Sequence, residues 1–212
     1  MTAAAGVVVA LCERPVATRV ARWVERRGFG LSRWLPLPPG ARDVLAVVLL
    51  DYSLYHWHVA THRVPWLWRW HRVHHLDHHL DATTAARFHP GEMLLSVPFR
   101  AAQIAVVGAG RRAYGWWGAA LGVSVAFHHS DLGLPAGIDR ALRWVVVTPR
   151  LHGIHHDRGA DRSDSNYSSG LTVWDRVHGT WRDDVPAGAV VIGAPGVAVG
   201  DGLGAALALP FE

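Results

Sequence analysis

The chain has 212 residues, half of them apolar, and a formal net charge of +4 to which only arginine contributes positive charge. This length suits one domain with short additions, and the single cysteine excludes an internal disulfide and a cysteine-based metal site. The basic balance does not indicate nucleic acid, because the arginines stand beside many of the 11 tryptophans, as at a membrane interface.

The first 40 residues predict a basic, interfacial segment. Residues 14–34 contain six arginines and two tryptophans, a pattern typical of an amphipathic helix that lies on a membrane surface. An ordinary solvated helix fits the same pattern equally well. Pro36, Pro38, Pro39 and Gly40 then interrupt the helical pattern.

Residues 41–63 predict one long helix, because neither proline nor glycine interrupts them. Twenty-three helical residues reach about 35 Å, and a hydrocarbon core is about 30 Å thick. Residues 44–50 are purely apolar. The second half carries a polar stripe at helical spacing, made of Asp51, Tyr55, His58 and His62. We therefore expect a helix that enters from lipid and ends in a polar site.

Residues 93–127 form a second apolar region, which Pro98 and three arginines interrupt. Neither half is a comfortable membrane span, so we expect a short hairpin or a re-entrant pair covered by protein. Two buried helices of a soluble domain are the alternative. Residues 157–182 are polar and predict loops with one short helix, and residues 186–209 predict a turn and a terminal helix.

Histidine is the unusual residue of this chain, since 14 of its 15 histidines lie between positions 56 and 156. The motif His-x-x-His-His occurs as His71, His74, His75 and again as His152, His155, His156. Positions i, i+3 and i+4 share one face of a helix, so three imidazoles can converge on a metal. A catalytic metal takes three or four protein ligands, so nine or more histidines indicate two ions.

Residue chemistry alone leaves the identity of the metal open. Imidazole suits zinc, copper, iron and nickel. The zincin pattern His-Glu-x-x-His is absent from the sequence. An all-histidine pair of sites with no carboxylate base nearby does not resemble a zinc protease. A membrane oxidase, with iron that keeps open positions for oxygen, fits the pattern better.

The sequence resembles the fatty acid hydroxylase / sterol desaturase superfamily over about residues 35–182. Matching residues of the first half are Asp51, Tyr55, His58, His62, Pro65, Leu67, Trp68, Arg69, His71, Val73, His74, His75, Asp77, Asp81, Thr84, Ala85, Arg87, His89, Pro90 and Glu92. Matching residues further along are His129, Ser130, Pro135, Thr148, Pro149, His152, His155, His156, Asn166, Tyr167, Leu171, Trp174, Asp175, Arg176, Gly179 and Thr180. The sequence departs from the family pattern at His56, Asp131, Ser168 and His178, none of which removes a matched histidine.

The resemblance implies an all-α fold, an integral-membrane helical bundle of several passes with a histidine-rich, metal-binding cap that faces the cytoplasm. It implies three segments: the interfacial residues 1–40, a di-iron domain over 41–182, and a tail over 183–212. The implied activity is oxygen-dependent oxidation of a lipid C–H bond, by hydroxylation or desaturation of a fatty acyl, sterol or related lipid. The implied cofactors are two iron ions, which zinc can replace on preparation, with O2 as co-substrate.

The resemblance also implies a set of partners and ligands. The partners are a lipid substrate, the bilayer and a separate electron-donor protein of ferredoxin or cytochrome type, with no nucleic acid. Carried over by position, the metal ligands are His58, His62, His71, His74, His75, His129, His152, His155 and His156. Further ligands or supporting residues are expected among His89, His128, Asp51, Tyr55, Asp77, Asp81, Asn166 and Asp175.

Carboxylates near such a site can hydrogen-bond the far nitrogens of ligand histidines, which fixes their tautomer. This interpretation is preferred for Asp51, because an acid within a membrane helix is costly without a partner. The alternative is a non-catalytic membrane protein that binds zinc through the same number of histidine ligands. An open coordination position beside an apolar channel would favour the oxygenase over that alternative.

Overall fold

Helices form the regular structure of the computed structural model, which describes residues 2–197 and 202–212. The α-helices are α1 Thr2–Val8, α2 Arg14–Arg27, α3 Leu31–Trp34, α4 Pro39–Arg63, α5 Pro65–His71, α6 Pro90–Val107, α7 Arg111–His128, α8 Ala136–Leu142, α9 Pro149–His155, α10 Ala160–Ser163, α11 Val173–His178 and α12 Leu203–Ala208. A π-helical turn and four 3₁₀ turns cover Val9–Glu13, His74–Leu76, Thr84–Ala86, Ala187–Ala189 and Leu209–Phe211. In these two ranges the extended contacts are two isolated bridges, Val146 with Leu171 and Asp157 with Ile192.

Proline and glycine decide where the main helices begin and end. Helices α4, α5, α6 and α9 each begin with proline, whose fixed φ and missing N–H suit the first helical turn. Gly28 follows the end of α2 and Gly108 follows the end of α6, both in the left-handed conformation with φ of 62° and 81°. The long helix predicted over residues 41–63 is therefore present as α4, and the predicted hairpin over 93–127 is present as α6 and α7.

Four helices, α2, α4, α6 and α7, pack around one apolar core. Its buried members are Ala17, Ala21, Val24, Ala46, Leu50, Ile104, Val107, Ala109, Ala113 and Trp117. Half of these are alanines, whose small side chains let the helices approach closely. The sequence predicted that residues 14–34 form a surface helix, but the apolar face of α2 packs into this bundle and the helix ends at Arg27.

The sequence also predicted that the helix over residues 41–63 crosses a membrane. Within the described ranges, no helix is both long enough and apolar enough to make such a crossing. The terminal helix predicted in residues 186–209 is present as α12. Part of the predicted tail, residues 198–201, lies outside the described residues, as does Met1 of the interfacial segment.

One end of the bundle holds the functional elements. Helix α4 ends there at Arg63, α6 begins there at Pro90, and α7 ends there at His128. The helices α5 and α9 and the turn His74–Leu76 pack over this end. This arrangement brings histidines from four separate stretches of the chain together.

Candidate metal centre

Two clusters of histidines occupy this end of the bundle. The five-histidine cluster consists of His58, His62, His71, His75 and His155, and the four-histidine cluster consists of His74, His129, His152 and His156. Within each cluster the ring nitrogens that face one another lie within 4.8 Å. These nine residues are the ones that the sequence resemblance implied as ligands.

The two His-x-x-His-His motifs are each divided between the clusters. His71 belongs with His75 while His74 faces the other cluster, and His155 is separated in the same way from the rest of its motif. In an α-helix such as α9, successive residues turn by about 100°, so i and i+4 are about 40° apart whereas i+3 lies about 60° to the other side. The first motif follows a similar right-handed path from α5 through Arg72 and Val73 into the 3₁₀ turn. The expectation that all three imidazoles of a motif meet at one metal is therefore wrong.

Three histidines of the five-histidine cluster are anchored through Nδ1. His58 Nδ1 lies 2.6 Å from the Tyr167 carbonyl, His71 Nδ1 lies 2.7 Å from Glu92 Oε1, and His155 Nδ1 lies 2.8 Å from the Ser165 carbonyl. A proton on each Nδ1 leaves a lone pair on Nε2. The Nε2 atoms of these three histidines and of His62 are buried and have no hydrogen-bond partner among the residues that the structure describes.

Such buried, unpartnered acceptors are costly, so they need a ligand. These four lone pairs converge from separate elements, and no hydrogen-bond donor of the described residues reaches them. A bound cation would satisfy all four. The five-histidine cluster therefore fits a metal ion that takes nitrogen ligands.

The four-histidine cluster shows the same fit through close contacts between nitrogens. His129 Nε2 lies 3.1 Å from His74 Nε2 and 2.9 Å from His152 Nε2. The Nδ1 atoms of His74 and His129 face the carbonyls of Arg87 and Val125, at 3.3 Å and 2.8 Å. Both Nε2 atoms thus present lone pairs to each other. Nitrogens bound to one ion at about 2.0–2.1 Å lie about 3.0–3.4 Å apart, which matches a shared cation.

Burial keeps these imidazoles neutral. Desolvation lowers the pKa of His155 to about 3 and that of His129 to about 4. The pKa values of His75, His152 and His156 are also lowered well below the usual range, by burial first and then by neighbouring histidines. A neutral imidazole is the form that binds metal, so the centre is ready for metal at neutral pH.

A cavity of about 380 Å³ opens directly beside both clusters. His58 and His71 of one cluster line it, together with His74 and His129 of the other. Its other walls near the histidines are mostly apolar and include Leu54, Trp57, Phe88, Met93, Leu121 and Val125, with Glu92 and Ser96 forming a polar strip. The metal centre is therefore accessible from an apolar space large enough for part of a lipid chain.

Two further predicted histidines lie outside both clusters. His128 is buried with its ring centroid 4.0 Å from that of His152, and it lines the cavity. His89 caps α6, because its Nδ1 accepts a hydrogen bond of 2.9 Å from the Gly91 N–H. The structure thus gives His89 a role at the helix start.

The predicted carboxylates bond to other partners than histidine. Asp51 Oδ2 accepts hydrogen bonds from the Trp174 indole at 2.7 Å and from the Leu171 N–H at 3.1 Å. The expectation that Asp51 orients a ligand histidine is therefore not met, because Asp51 lies about 10 Å before His58 along α4 and bonds to the start of α11 and the residues just before it.

The remaining two predicted carboxylates of the first half stabilise a local turn. Asp77 pairs with Arg87 and accepts a hydrogen bond of 2.7 Å from the Thr84 hydroxyl. Asp81 Oδ1 accepts a hydrogen bond of 2.6 Å from the Thr83 N–H. Both carboxylates thus shape the turn that precedes α6.

Asn166, Asp175 and Tyr55 hold the loop that carries Tyr167. Asp175 accepts the Tyr167 N–H at 2.8 Å, and Asn166 adopts a left-handed φ of 50° while its amide donates to the Arg182 carbonyl at 2.8 Å. The Tyr55 hydroxyl lies 2.9 Å from Thr180 Oγ1 at the end of the same loop. These residues act on the metal centre through the Tyr167 carbonyl, which faces His58.

Sequence reasoning missed the groups that orient the histidines. Glu92 matched the family pattern but was not singled out, although it contacts His71, and Asp164 lies 3.7 Å from His62 Nδ1. No periodicity links Glu92 to a histidine 21 residues away. The carbonyls of Tyr167 and Ser165 carry no side-chain signal at all.

Comparison with known proteins adds an independent finding. The model of the family described as fatty acid hydroxylase matches residues 44–180. An ornithine lipid hydroxylase from Rhizobium tropici is 29% identical over 184 residues, which cover 87% of this chain and 54% of the relative. An alkylglycerol monooxygenase from Xenopus tropicalis is 27% identical, over 62% of this chain and 28% of the relative.

A third relative is the cholesterol 25-hydroxylase of Homo sapiens, which is 25% identical over 68% of this chain and 53% of the relative. The chain thus spans about half the length, or less, of these curated relatives. No solved structure matches it.

Proposed function

This chain belongs to the fatty acid hydroxylase family, and we propose that it uses O2 to oxidise a C–H bond of a lipid, by hydroxylation or desaturation, at a two-iron site. The observation that supports this proposal most strongly is the position of the cavity. Histidines of both clusters line one apolar space, so a lipid chain in that space would lie beside both metals.

The nine clustered histidines are the residues that would hold the ions. His58, His62, His71, His75 and His155 would hold one ion, and His74, His129, His152 and His156 the other. Bound iron supplies the redox chemistry that activates oxygen, which no side chain of this centre can supply. Zinc is expected to replace iron during preparation, because zinc binds nitrogen sites more tightly.

The chain itself supplies position and a dry environment. Trp57, Phe88 and Leu121 line the cavity and exclude water from the reacting carbon. Hydroxylation that reduces the second oxygen atom to water requires two electrons. We therefore include a separate electron-donor protein of ferredoxin or cytochrome type in the proposal.

The lipid class that this chain oxidises is a proposal, because the substrates that are named are those of its relatives. Those relatives are named for an ornithine lipid, for alkylglycerols and for cholesterol, which share a polar group on an apolar body. A non-catalytic zinc protein is less well supported, because a structural zinc site is normally closed whereas this centre adjoins a cavity.

We further propose that the bundle is embedded in a membrane, with the metal centre facing the cytoplasm. Large apolar side chains on the outer faces of α4, α6 and α7 are at least 50% exposed, namely Val44, Leu94, Val106, Trp116 and Val123. Arg33 donates to the Gly108 carbonyl at the end of α6 opposite to the histidines, so the cytoplasmic side rests on the family resemblance and not on the arginines of residues 14–33.

The test is oxidation of cellular lipids under isotopically labelled oxygen gas, in cells that express the chain or its His58→Ala variant. With the unsubstituted chain we expect one lipid class to gain labelled oxygen, if the reaction is hydroxylation, or a double bond, if it is desaturation, and we expect neither change with the variant. His56→Ala is the matched control, because this exposed neighbour belongs to neither cluster. Unchanged lipids with an iron-loaded chain and an active reductase system would contradict the proposal.

A further inference from the structure

The cavity beside the histidines has a polar wall, of which the metal centre uses only Glu92. Glu92, Ser96 and Arg100 follow one another at intervals of four along α6, so they share one face, and all three are buried and line the cavity. Arg100 lies two turns beyond Glu92, which is about 12 Å along the helix axis. The polar wall therefore extends from the metal centre to the far end of the cavity.

Arg100 is held in one orientation at that far end. Its guanidinium lies over the Trp117 ring at 4.5 Å and donates to Gln103 Oε1. Gln103 is fixed in turn, because its amide donates to the Leu50 carbonyl and to Ser53 Oγ, each at 2.8 Å. Arg100 Nε is buried yet makes no hydrogen bond within residues 2–197 and 202–212. Such a preorganised but incompletely paired cation is suited to a ligand.

Glu13 faces Arg100 across this end of the cavity. It closes the π-helical turn Val9–Glu13, a rare geometry that is frequent at functional sites, and both ends of the turn line the cavity. Glu13 Oε2 accepts the Ser96 hydroxyl at 3.1 Å. Glu13 Oε1 lies 3.5 Å from Arg100 Nε, which is longer than a good hydrogen bond.

We propose that Glu13, Ser96 and Arg100 form the binding subsite for the polar head of the lipid substrate. We further infer that this head carries no net charge and offers both a hydrogen-bond donor and an acceptor. A polyol head and a zwitterionic amino-acid head share this chemistry. The inference rests on the proposed function only in taking the ligand to be the substrate of that reaction.

The pairing of opposite charges selects for a neutral head. An anion that reaches Arg100 also meets the Glu13 carboxylate, and a cation that reaches Glu13 also meets Arg100. Both side chains are close to 90% buried, so solvent does not screen the repulsion. A head that accepts from Arg100 and donates to Glu13 avoids the repulsion and satisfies a buried pair that is costly when poorly bonded. Arg14 also lines the cavity, but its side chain is exposed and its charge is screened.

The position of the subsite also fixes where the lipid is oxidised. A head bound at Arg100 lies about 12 Å along α6 from Glu92, and Glu92 contacts the metal centre through His71. The apolar chain of the lipid then fills the space beside the histidines. The oxidised carbon therefore lies in this chain and not in the head.

The test measures binding to the zinc-loaded protein in detergent, so that it does not depend on turnover. The probes are hexadecylglycerol, Nα-palmitoyl-lysine, palmitate and hexadecylamine, which carry a neutral diol, a zwitterion, an anion and a cation. We expect at least one of hexadecylglycerol and Nα-palmitoyl-lysine to bind about tenfold more tightly than palmitate and than hexadecylamine. The tighter of the first two identifies the polyol or the zwitterionic head.

Glu13→Gln removes the carboxylate with little change in shape. We expect it to tighten palmitate binding about tenfold and to weaken the preferred probe by a similar factor. Glu25→Gln is the matched control, because Glu25 pairs with Arg111 outside the cavity and should leave all affinities unchanged.

Equal binding of palmitate and the neutral probes, or equal effects of the two substitutions, would overturn the inference. Oxygen placed on the head of a bound probe by the iron-loaded protein would also overturn it. The expected binding preferences without any oxidation would count against the proposed function alone.

Discussion

His71 and Glu92 form a buried pair in which His71 Nδ1 lies 2.7 Å from Glu92 Oε1. Both side chains are about 95% buried, and the pair joins the end of α5 to the first turn of α6. The carboxylate holds the proton of His71 on Nδ1 and leaves a lone pair on Nε2. A pair of this kind orients a ligand imidazole and raises its basicity.

Glu92→Gln should therefore weaken metal binding about 10- to 100-fold, since a neutral amide is a poorer acceptor for the His71 proton. Competition with a chelator measures this affinity directly. Glu25→Gln provides a control of identical chemistry on an exposed ion pair. Equal affinity in the two variants would show that Glu92 does not act through His71.

Each histidine cluster should account for one bound ion. The unsubstituted chain should hold about two ions, and His62→Ala and His129→Ala should each retain about one, because each variant disrupts a different cluster. Elemental analysis of the purified variants gives the stoichiometry. A loss of both ions in each variant, at full secondary structure, would indicate a single shared site.

His56 and His58 should differ sharply although they are almost adjacent. His58 is buried with an unpartnered Nε2, whereas His56 is exposed and contacts Tyr52 and His178. We expect His58→Ala to abolish lipid oxidation and His56→Ala to retain most of it. Matched expression and melting curves separate a lost ligand from a lost fold. The reverse outcome would mean that the helical register of α4 is wrong.

Acid should destabilise the metal-free protein. The pKa of His155 is lowered to about 3 and that of His129 to about 4, whereas an unfolded histidine titrates near about 6.5. Below about pH 6.5 these histidines bind protons in the unfolded chain but stay neutral in the folded chain. The stabilisation is thus complete above about pH 6.5 and is lost as the pH falls toward the folded pKa values.

As the pH falls from about 6.5 toward the folded pKa values, the protonation of each of these two histidines should lower the free energy of unfolding by about 1.4 kcal/mol per pH unit. Denaturant titrations between about pH 7.5 and pH 5 measure the slope. A free energy of unfolding that does not change over this range would contradict the burial of neutral imidazoles. The slope should be smaller in His155→Gln, which lacks one of these groups.

Gly170→Ala should destabilise the loop that presents the Tyr167 carbonyl to His58. A Cβ at position 170 would overlap the Asp51 carboxylate, and relieving the overlap should cost about 1–3 kcal/mol. Gly153→Ala is the matched control, because a Cβ there meets no atom of the described residues within 4 Å and the residue is inside α9. This control should be neutral or stabilising by roughly 0.5–1 kcal/mol, as measured by thermal unfolding.

The sequence alone identified the family and the histidines that gather at the metal centre. Its local patterns also predicted α4 and the α6–α7 hairpin, since proline, glycine and apolar periodicity act over a few residues. It did not predict that α2 joins the bundle core, because an amphipathic helix carries the same pattern whether its apolar face meets lipid or protein.

Only the tertiary structure decided how the histidines are shared and oriented. His74 belongs to the four-histidine cluster while His71 and His75 of its motif belong to the five-histidine cluster. His155 belongs to the five-histidine cluster while His152 and His156 belong to the four-histidine cluster, because the rotation of the helical backbone points residue i+3 away from i and i+4. Glu92 meets His71, and Glu13 meets Arg100 across 87 residues of sequence, only once the helices have packed. Contacts of this kind depend on where distant helix faces meet, and that is set by the packing of the whole bundle and not by any local pattern.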